Sequence, residues 1–554
     1  MYVRVKSTPN SPRKSVQIVA SMRKGDTVAQ KIVRYMGVAH SDEELEQLKQ
    51  FAEMVKIKLE AGEQQMLFSP EEMANMKAKP TETDENYNVN LKDMVEEQRV
   101  VSGIHDVYGA MFEQMGFDTL FKNPARHKAG IKMLKDIVLA RIANPKSKRS
   151  SVLMLEEDFG IRLNLEQVYR MMDLLDEKAI EKLNNLAYQH TAELFQQKVD
   201  VIFFDCTTLY FETFQEDSFR KNGYSKDLKF NQPQVVLALM VTKEGLPIGY
   251  EAFEGDTYEG HTLIPALARL REKYQLDKVI FVADAGMMNE DNLKKLEQAP
   301  QPFEYIVGSR LKNLPKALQE AILNSKNYQE IIANDDIFRI GQFEHGTRKL
   351  VVSYSEKRAR KDAADRMKTL EKLQEKLSKK KNPKDYLSNY GNRKYLAIEG
   401  TSKLILNEEK IILAAKWDGL HGVVTNAKNL DNQEILKQYK HLWEVEEAFR
   451  ITKHDLRVRP VFHWKPSRVK AHLAISFAAF TLVKQLEYRV KLQYQAMSPE
   501  QIRRNLIRVQ TSIFYNKKKK IRYGIPSRIS QDSAKIYKLC NLQRQLTPYI
   551  IQTA

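Results

Sequence analysis

The sequence predicts an α/β protein: a mixed β-sheet with helices on its faces, interrupted by a β-rich insertion and flanked by further β and helical segments. Three observations predict it. Two apolar runs, KVDVIFFD and DKVIFVAD, have the length and continuity of buried strands, and each ends in an aspartate. Between them lie a hairpin-like pair, QPQVVLALMVTKEGLPIGYEAFEG, turning at Glu244-Gly245, and an amphipathic helix, HTLIPALARLREKYQ. Strands that first meander and then alternate with helices suit a mixed sheet rather than a sandwich or a bundle.

The elements follow in order. Residues 1–100 open with short alternating strands, YVRVK, SVQIVASM and TVAQKIVRYM, separated by turn-forming SPRK and Gly25-Asp26, and continue into a charged helix. Arg4, Lys6, Lys31 and Arg34 make this small sheet basic, so it is either a DNA contact or a sheet with one solvated face. Residues 101–197 read as helical. Within them SKRSSVLMLEEDFGIRLNLEQVYRMMDLL reads as helix, Gly-containing turn, helix, which suits either a helix-turn-helix with Arg170 exposed or an ordinary helix pair. Residues 198–308 hold the first part of the core sheet. Residues 309–431 are a β-rich insertion carrying a charged helical projection, in which Met367, Leu370, Leu373 and Leu377 form a narrow stripe. That stripe has the width of a two-helix seam, for a neighbour in the insertion or for a second chain. Residues 432–490 return to the core. Residues 491–554 are basic and expected to be helical, for DNA contact or dimerisation.

Across 554 residues the chain carries 89 Lys and Arg against 71 Asp and Glu, a formal charge of +18. An excess of that size favours a polyanionic partner, because cations gain by neutralising phosphates and releasing counterions. Two cysteines exclude a disulfide scaffold and a Cys-rich zinc site, and fit a reducing cytoplasm. The first residues carry charges where a secretion signal needs an apolar stretch. The most apolar run, residues 471–483, is too short for a membrane span and contains His472, Ser476 and Thr481, so it reads as a buried core helix. His454, His463 and His472, nine residues apart, share no helical face and are expected to pack or to contact phosphate. Neither a G-x-G-x-x-G fingerprint nor a P-loop is present.

The segment DNQEILKQYKHLWEVEEAFRITKHD starts with Asp431 as an N-cap, has Glu434 in the capping-box position, and contains no Gly or Pro. Read as one helix, it puts Tyr439, Leu442, Trp443, Glu446, Phe449 and Lys453 on one face. Glu446 is then either paired in the core or aimed into a site, while Glu444 and Glu447 face solvent. Asp205 and Asp284, each at the end of an apolar strand, stand where α/β proteins place ligands. The same two positions suit helix caps or turn residues. Three carboxylates converging on one point would suit Mg²⁺ or Mn²⁺, hard cations that prefer oxygen ligands.

These residues resemble the DDE transposases of bacterial insertion sequences, in particular the IS-four group with its Y-x2-R-x3-E-x6-K signature. Tyr439, Glu446 and Lys453 fall at the signature spacings. Asp205 in FFDCTTLYFE and Asp284 in VADAGM resemble the first two catalytic acids, at intervals of 284 − 205 = 79 and 446 − 284 = 162 residues. The segments GYSKDLKFNQPQVVLALMV, GLPIGYEAFEGDTYEGHTL, KWDGLHGVVTN and FRITKHDLRVRPVFHW are similar to family blocks. One departure is clear: Leu442 occupies the signature's Arg position, and Arg450 is a candidate substitute.

The resemblance implies an RNase H-like core in which Asp205, Asp284 and Glu446 hold two Mg²⁺ ions, with Mn²⁺ substituting. It implies cut-and-paste transposition on double-stranded DNA, through hairpin ends, with the element's terminal inverted repeats and the target as substrates and a homodimer in the paired-end complex. No membrane partner is implied, and the location is the bacterial cytoplasm at the nucleoid. Lys453, Tyr439, Lys226 and Lys229 would contact the DNA backbone, and Trp417, with Trp443 second, would stack a flipped base. A structure-specific endonuclease on the same fold and a decayed DNA-binding protein are the competing readings. The intact Asp, Asp, Glu set speaks against decay.

Overall fold

Strand formation in this chain follows its apolar alternation closely, and the helices fill the stretches of longer period. The computed structural model describes residues 1–7, 14–24, 27–39, 45–46, 48–49, 52–53, 55–56, 87–195, 201–213, 215–223, 231–257, 262, 264–269, 280–284, 290–299, 302–333, 336–378, 395–399, 403–458 and 461–551. Its contacts divide the chain into two units, Met1–Arg99 with Arg508–Ala554, and Val100–Ile507.

In the first unit β1 (Tyr2–Ser7), β2 (Lys14–Lys24) and β3 (Thr27–Ala39) form an antiparallel sheet. Val16, Ile18 and Ala39 are buried with Leu45 and Ala52, whereas Tyr2, Val5, Ile32 and Tyr35 are exposed. A second sheet joins the two ends of the chain: β4 (Met94–Val101) borders β16 (Gln510–Asn516), followed by β17 (Ile521–Pro526) and β18 (Tyr549–Ile551). The Arg522 guanidinium bonds Glu97 across it at 2.6 Å. The C-terminal region is therefore not simply helical as expected. QTSIFYN and IRYGIP alternate with period two on either side of the basic turn Lys517–Lys520, which makes them a hairpin.

The second unit begins with five helices: α1 (Gly103–Gln114), α2 (Lys128–Ala143), α3 (Lys148–Phe159), α4 (Leu165–Asp173) and α5 (Glu177–Phe195). Between α3 and α4, Gly160 caps at φ 68° and Asn164 accepts from the Glu166 and Gln167 amides, so the helix, Gly turn, helix arrangement forms. Arg170 is exposed on α4.

A nine-stranded mixed sheet follows. Its strands are β5 (Val201–Tyr210), β6 (Gln234–Val241), β7 (Pro247–Glu254), β8 (Ile280–Ala283), β9 (Glu304–Ser309), β10 (Gln329–Ala333), β11 (Asp336–His345), β12 (Arg348–Ser355) and β15 (Leu420–Thr425). Their order is β10-β11-β12-β15-β9-β8-β5-β6-β7, with β5, β8 and β9 parallel and every other pairing antiparallel. Every residue of β6 is buried, as its unbroken apolar run requires. At the β7 edge the Asn184 amide from α5 pairs with both the N–H and the carbonyl of Tyr250, satisfying groups that a further strand would otherwise take.

The segment expected as a separate insertion thus contributes four strands to this same sheet. Its projection, α8 (Glu356–Ser378), packs near a two-stranded hairpin of β13 (Leu396–Glu399) and β14 (Lys403–Leu406). Leu373 is buried and Leu377 joins Leu396 and Leu406, while Met367 is 61% exposed, so the stripe closes within the chain along its second half.

The run around residues 471–483 lies in a 28-residue helix, Pro466–Gln493, buried along most of its length, with Ser476 and Thr481 bonded to carbonyls four residues back. Among the described residues no helix is long and apolar enough to cross a membrane.

Candidate active site

Strands β5 and β8 run parallel with Phe203 opposite Val282. Continued two residues further, that register would set Asp205 level with Asp284, which follows the last residue of β8. Ile202, Phe204, Cys206, Phe281 and Ala283 fill one core cluster, so by alternation Asp205 points to the opposite face. Asp205 does not end its strand, as the apolar run suggested. β5 continues to Tyr210 because β6 pairs with it from Phe203 to Tyr210, whereas β8 stops at Ala283. The loss of one neighbour, rather than the end of the strand, opens space at Asp205. Its Oδ1 accepts from the Cys206 amide at 2.7 Å.

The helix expected to carry Glu446 is two helices, Asn432–Lys440 and Trp443–Arg450, broken at His441 and Leu442. Asp431 caps the first by accepting from the Glu434 amide, and a π-helical turn, Ile451–Asp455, follows the second. The break resets the helical phase. The buried side of the second helix is Leu442, Val445, Ala448 and Phe449, and Glu446 is exposed together with Trp443. Glu444, expected in solvent, is instead half-buried beside Lys484, and burial raises its carboxyl above the ordinary range. The Glu446 helix packs against β5 and β6. Of the two readings of Glu446, pairing in the core is excluded: the side chain faces outward.

Tyr439 links the parts. Its hydroxyl donates to Asp284 Oδ1 at 3.4 Å, and its ring lies 5.0 Å from that of His421 on β15. Burial pushes the phenol above its ordinary value, and the negative charges of Asp284 and Glu446 push it further. Asp284, Tyr439 and Glu446 therefore share one electrostatic neighbourhood. Burial and then the Arg358 guanidinium hold the His421 imidazole down to about 4, against a smaller opposing effect of Asp284. At neutral pH the site thus presents a protonated phenol and a neutral imidazole.

An all-carboxylate donor set has the chemistry for a hard divalent cation. Among the described residues, however, no group of three or more His, Cys, Asp or Glu side chains is gathered closely enough to hold a metal ion. Residues 285–289, which follow Asp284, lie outside the described residues. A cavity of about 920 Å³ bordered by Asn184, Tyr250, Phe253 and Arg269 is lined by none of the three carboxylates.

The remaining sequence candidates divide. Leu442 is buried at the helix break and makes no polar contribution. Arg450 is held by Glu447 through two bonds of 2.6 Å and by Asp455 at 3.2 Å. Lys453 sits in the π-helical turn with its ammonium 5.6 Å from the Phe449 ring centroid. Trp417 packs against the sheet's core, whereas Trp443 is 54% exposed. Lys226 and Lys229 lie outside the described residues, as does the side chain of His454. His463 and His472, expected to pack or to contact phosphate, have rings 5.4 Å apart, because the chain folds back before the Pro466 helix.

Two site residues went unassigned in the sequence. His421 lies inside KWDGLHGVVTN, and Arg358 inside the charged helix; only the pairing of β12 with β15, which sets Ser353 opposite His421, brings them to the carboxylates. The Arg358 guanidinium is half exposed and 3.8 Å from Asp362, which also accepts from the Gly419 amide.

The piggyBac transposase in its synaptic complex with hairpin DNA superposes with a TM-score of 0.35 at 11% identity, over 79% of this chain and 74% of that one. The Mos1 transposase in its paired-end complex with the left transposon end gives 0.14 at 15% identity, over 32% of this chain and 57% of that one. No curated protein matches. Residues 196–482, which are 482 − 196 + 1 = 287 of the 554 and include Asp205, Asp284 and Glu446, match the family described as Transposase DDE domain. On that match, over more than half its length, the chain belongs to the DDE-domain transposases.

Proposed function

We propose that this transposase is of the IS-four group of bacterial insertion sequences. In this reading it binds the element's terminal inverted repeats, hydrolyses the DNA at the ends, and joins the freed 3′-hydroxyls to target DNA. The observation that supports the reading is the parallel register of β5 and β8, which continued past Phe203 and Val282 would bring Asp205 and Asp284 side by side, with the exposed Glu446 on a helix packed over β5. Asp205, Asp284 and Glu446 are the residues that would hold two divalent cations, Mg²⁺ or Mn²⁺. Bound there, the cations would supply charge neutralisation at phosphorus and activate the attacking water or hydroxyl.

The chain's own residues do the rest. Tyr439 orients Asp284 by donating to one oxygen, leaving the other for a ligand role. Arg358 and Lys453 neutralise the phosphate drawn to an edge that carboxylates alone would repel. Trp443, exposed one turn before Glu446, stacks a base extruded when the end folds into a hairpin. The β1 to β3 sheet, with Tyr35 and Ile32 exposed among Lys31 and Arg34, is a further DNA contact. One carboxylate set per end and two ends per element require two chains in the synaptic complex, although the α8 stripe lends that no support.

The test is cleavage of inverted-repeat duplex in Mg²⁺ by Asp205→Asn, Asp284→Asn and Glu446→Gln. Each is expected to lose at least about 10²–10³-fold in nicking while retaining end binding. Chelation should abolish nicking and Mn²⁺ restore it. A variant that nicks at the wild-type rate removes its residue from the site.

A further inference from the structure

Helix α8 brings Arg358 to the site in its first turn, yet none of its residues before Leu373 is buried. Apolar packing therefore does not fix the direction in which Arg358 points, and the hold on this half of the helix is polar. Arg358, Asp362 and Arg366 recur every four residues, which places them along one side of α8. Beside that row runs the turn Trp417, Asp418, Gly419, which leads into β15.

The contacts along the row are directional. Arg366 Nη1 donates to both carboxylate oxygens of Asp418, to Oδ2 at 2.6 Å. The two side chains are only 14% and 16% exposed, so solvent screens them less than a surface pair, and the bond to Asp418 raises the Arg366 guanidinium above its ordinary value. One helical turn back, Asp362 Oδ2 accepts from the Gly419 amide at 3.0 Å and stands 3.8 Å from Arg358 Nε. The Gly419 carbonyl accepts from the amide of Ser355, the last residue of β12, at 3.1 Å. At φ +80° a Cβ on Gly419 would fall 2.8 Å from the Ala359 Cβ and the Ser355 carbonyl oxygen, so glycine is what lets the helix lie this close. Trp417 packs against the sheet's core and anchors the turn. A helix without a buried stripe is free to roll about its axis. Two bonds one turn apart, from Asp362 and Arg366, remove that freedom and keep Arg358 on the side of His421, two residues beyond Gly419 on β15.

We propose that Asp418 and Arg366, with Asp362, form a clasp that holds Arg358 at the edge of the active site. Asp418 and Arg366 are then positioning residues for strand cleavage, acting through Arg358 and not on the DNA themselves. The proposal rests on the transposase reading, in which Arg358 neutralises the phosphate.

The test is single-turnover nicking of inverted-repeat duplex at saturating protein, with amide hydrogen exchange measured on the same full-length proteins without DNA. Arg366→Ala is expected to slow nicking roughly five- to tenfold, close to the loss from Arg358→Ala, with end binding within about twofold of wild type. Asp418→Asn keeps the side chain's shape and should do the same, while Arg366→Lys should recover part, since it keeps the charge but not the planar fork. In an Arg358→Ala background, Arg366→Ala should cost less than about a further twofold, because both act through one guanidinium. Exchange at Gly419 and along residues 356–366 should rise in Arg366→Ala. A general loss of structure would instead add its effect to that of Arg358→Ala. Full additivity, unchanged exchange at Gly419, or Arg366→Ala nicking at the wild-type rate overturns the clasp while leaving the transposase reading in place. A wild-type protein that nicks no inverted-repeat end overturns the transposase reading, and the positioning role with it, whatever the exchange at Gly419.

Discussion

Tyr439→Phe deletes one oxygen atom and leaves the ring against His421, so it isolates the hydroxyl's donation to Asp284. A hydrogen bond to a charged acceptor contributes about 1.5–3 kcal/mol when short and well buried. At 3.4 Å, with Asp284 exposed, its contribution belongs below that range, at about 1 kcal/mol. If Asp284 is held in working orientation by this bond, the variant should nick DNA roughly five- to tenfold more slowly. The phenol is raised above its ordinary range, so it remains a donor throughout the usual assay pH and the deficit should not vary with alkalinity. Single-turnover nicking at saturating protein is the assay, with end binding and melting temperature measured in parallel. Tyr439→Ala also loses the ring contact and should fall further, by up to roughly another tenfold. A Tyr439→Phe rate within twofold of wild type would refute the idea that the hydroxyl orients Asp284.

Arg358→Ala should slow nicking about tenfold with a smaller effect on end binding, and Arg358→Lys should recover part, since a lysine keeps the charge but not the planar fork. Arg450→Ala, by contrast, should leave nicking near wild type and cost at most about 1 kcal/mol of stability, its exposed ion pairs being weak; the two variants measured side by side decide which arginine serves the phosphate. Melting temperature should fall as pH drops from about 6.5 to about 4. Burial, followed by nearby cations, holds His421 and His463 down to about 4 and His472 well below its ordinary value, so in that window the unfolded chain binds protons the folded chain does not. Stability from these groups is complete above pH 6.5, and His463→Gln should flatten the acid slope in a calorimetric pH series.

What the sequence by itself determined is local. The unbroken run in β6 reads as a buried strand, and so does the run before Asp205, although that strand continues past the aspartate to Tyr210. Asp431 as a cap and Gly160 as a helix terminator were legible because each acts within a few residues of itself. The carboxylates were legible as a set through the signature spacings, not through any property of the three side chains alone. Tertiary structure decided the rest. Whether Glu446 faced core or solvent was set by how the unbroken Trp443–Arg450 helix packs on β5 and β6, which buries Phe449 and leaves Glu446 exposed. The neighbours of Asp284 come from β15, from the first turn of α8 and from the helix bearing Tyr439, separated by up to 155 residues of chain. The C-terminal strands found their partner in β4, at the other end of the sequence. Periodicity encodes which face of an element is apolar, but not which strand it pairs with or in what register. Those are set by the competition among long-range pairings for one buried sheet, and at this site that competition puts Arg358 and His421 beside the acids.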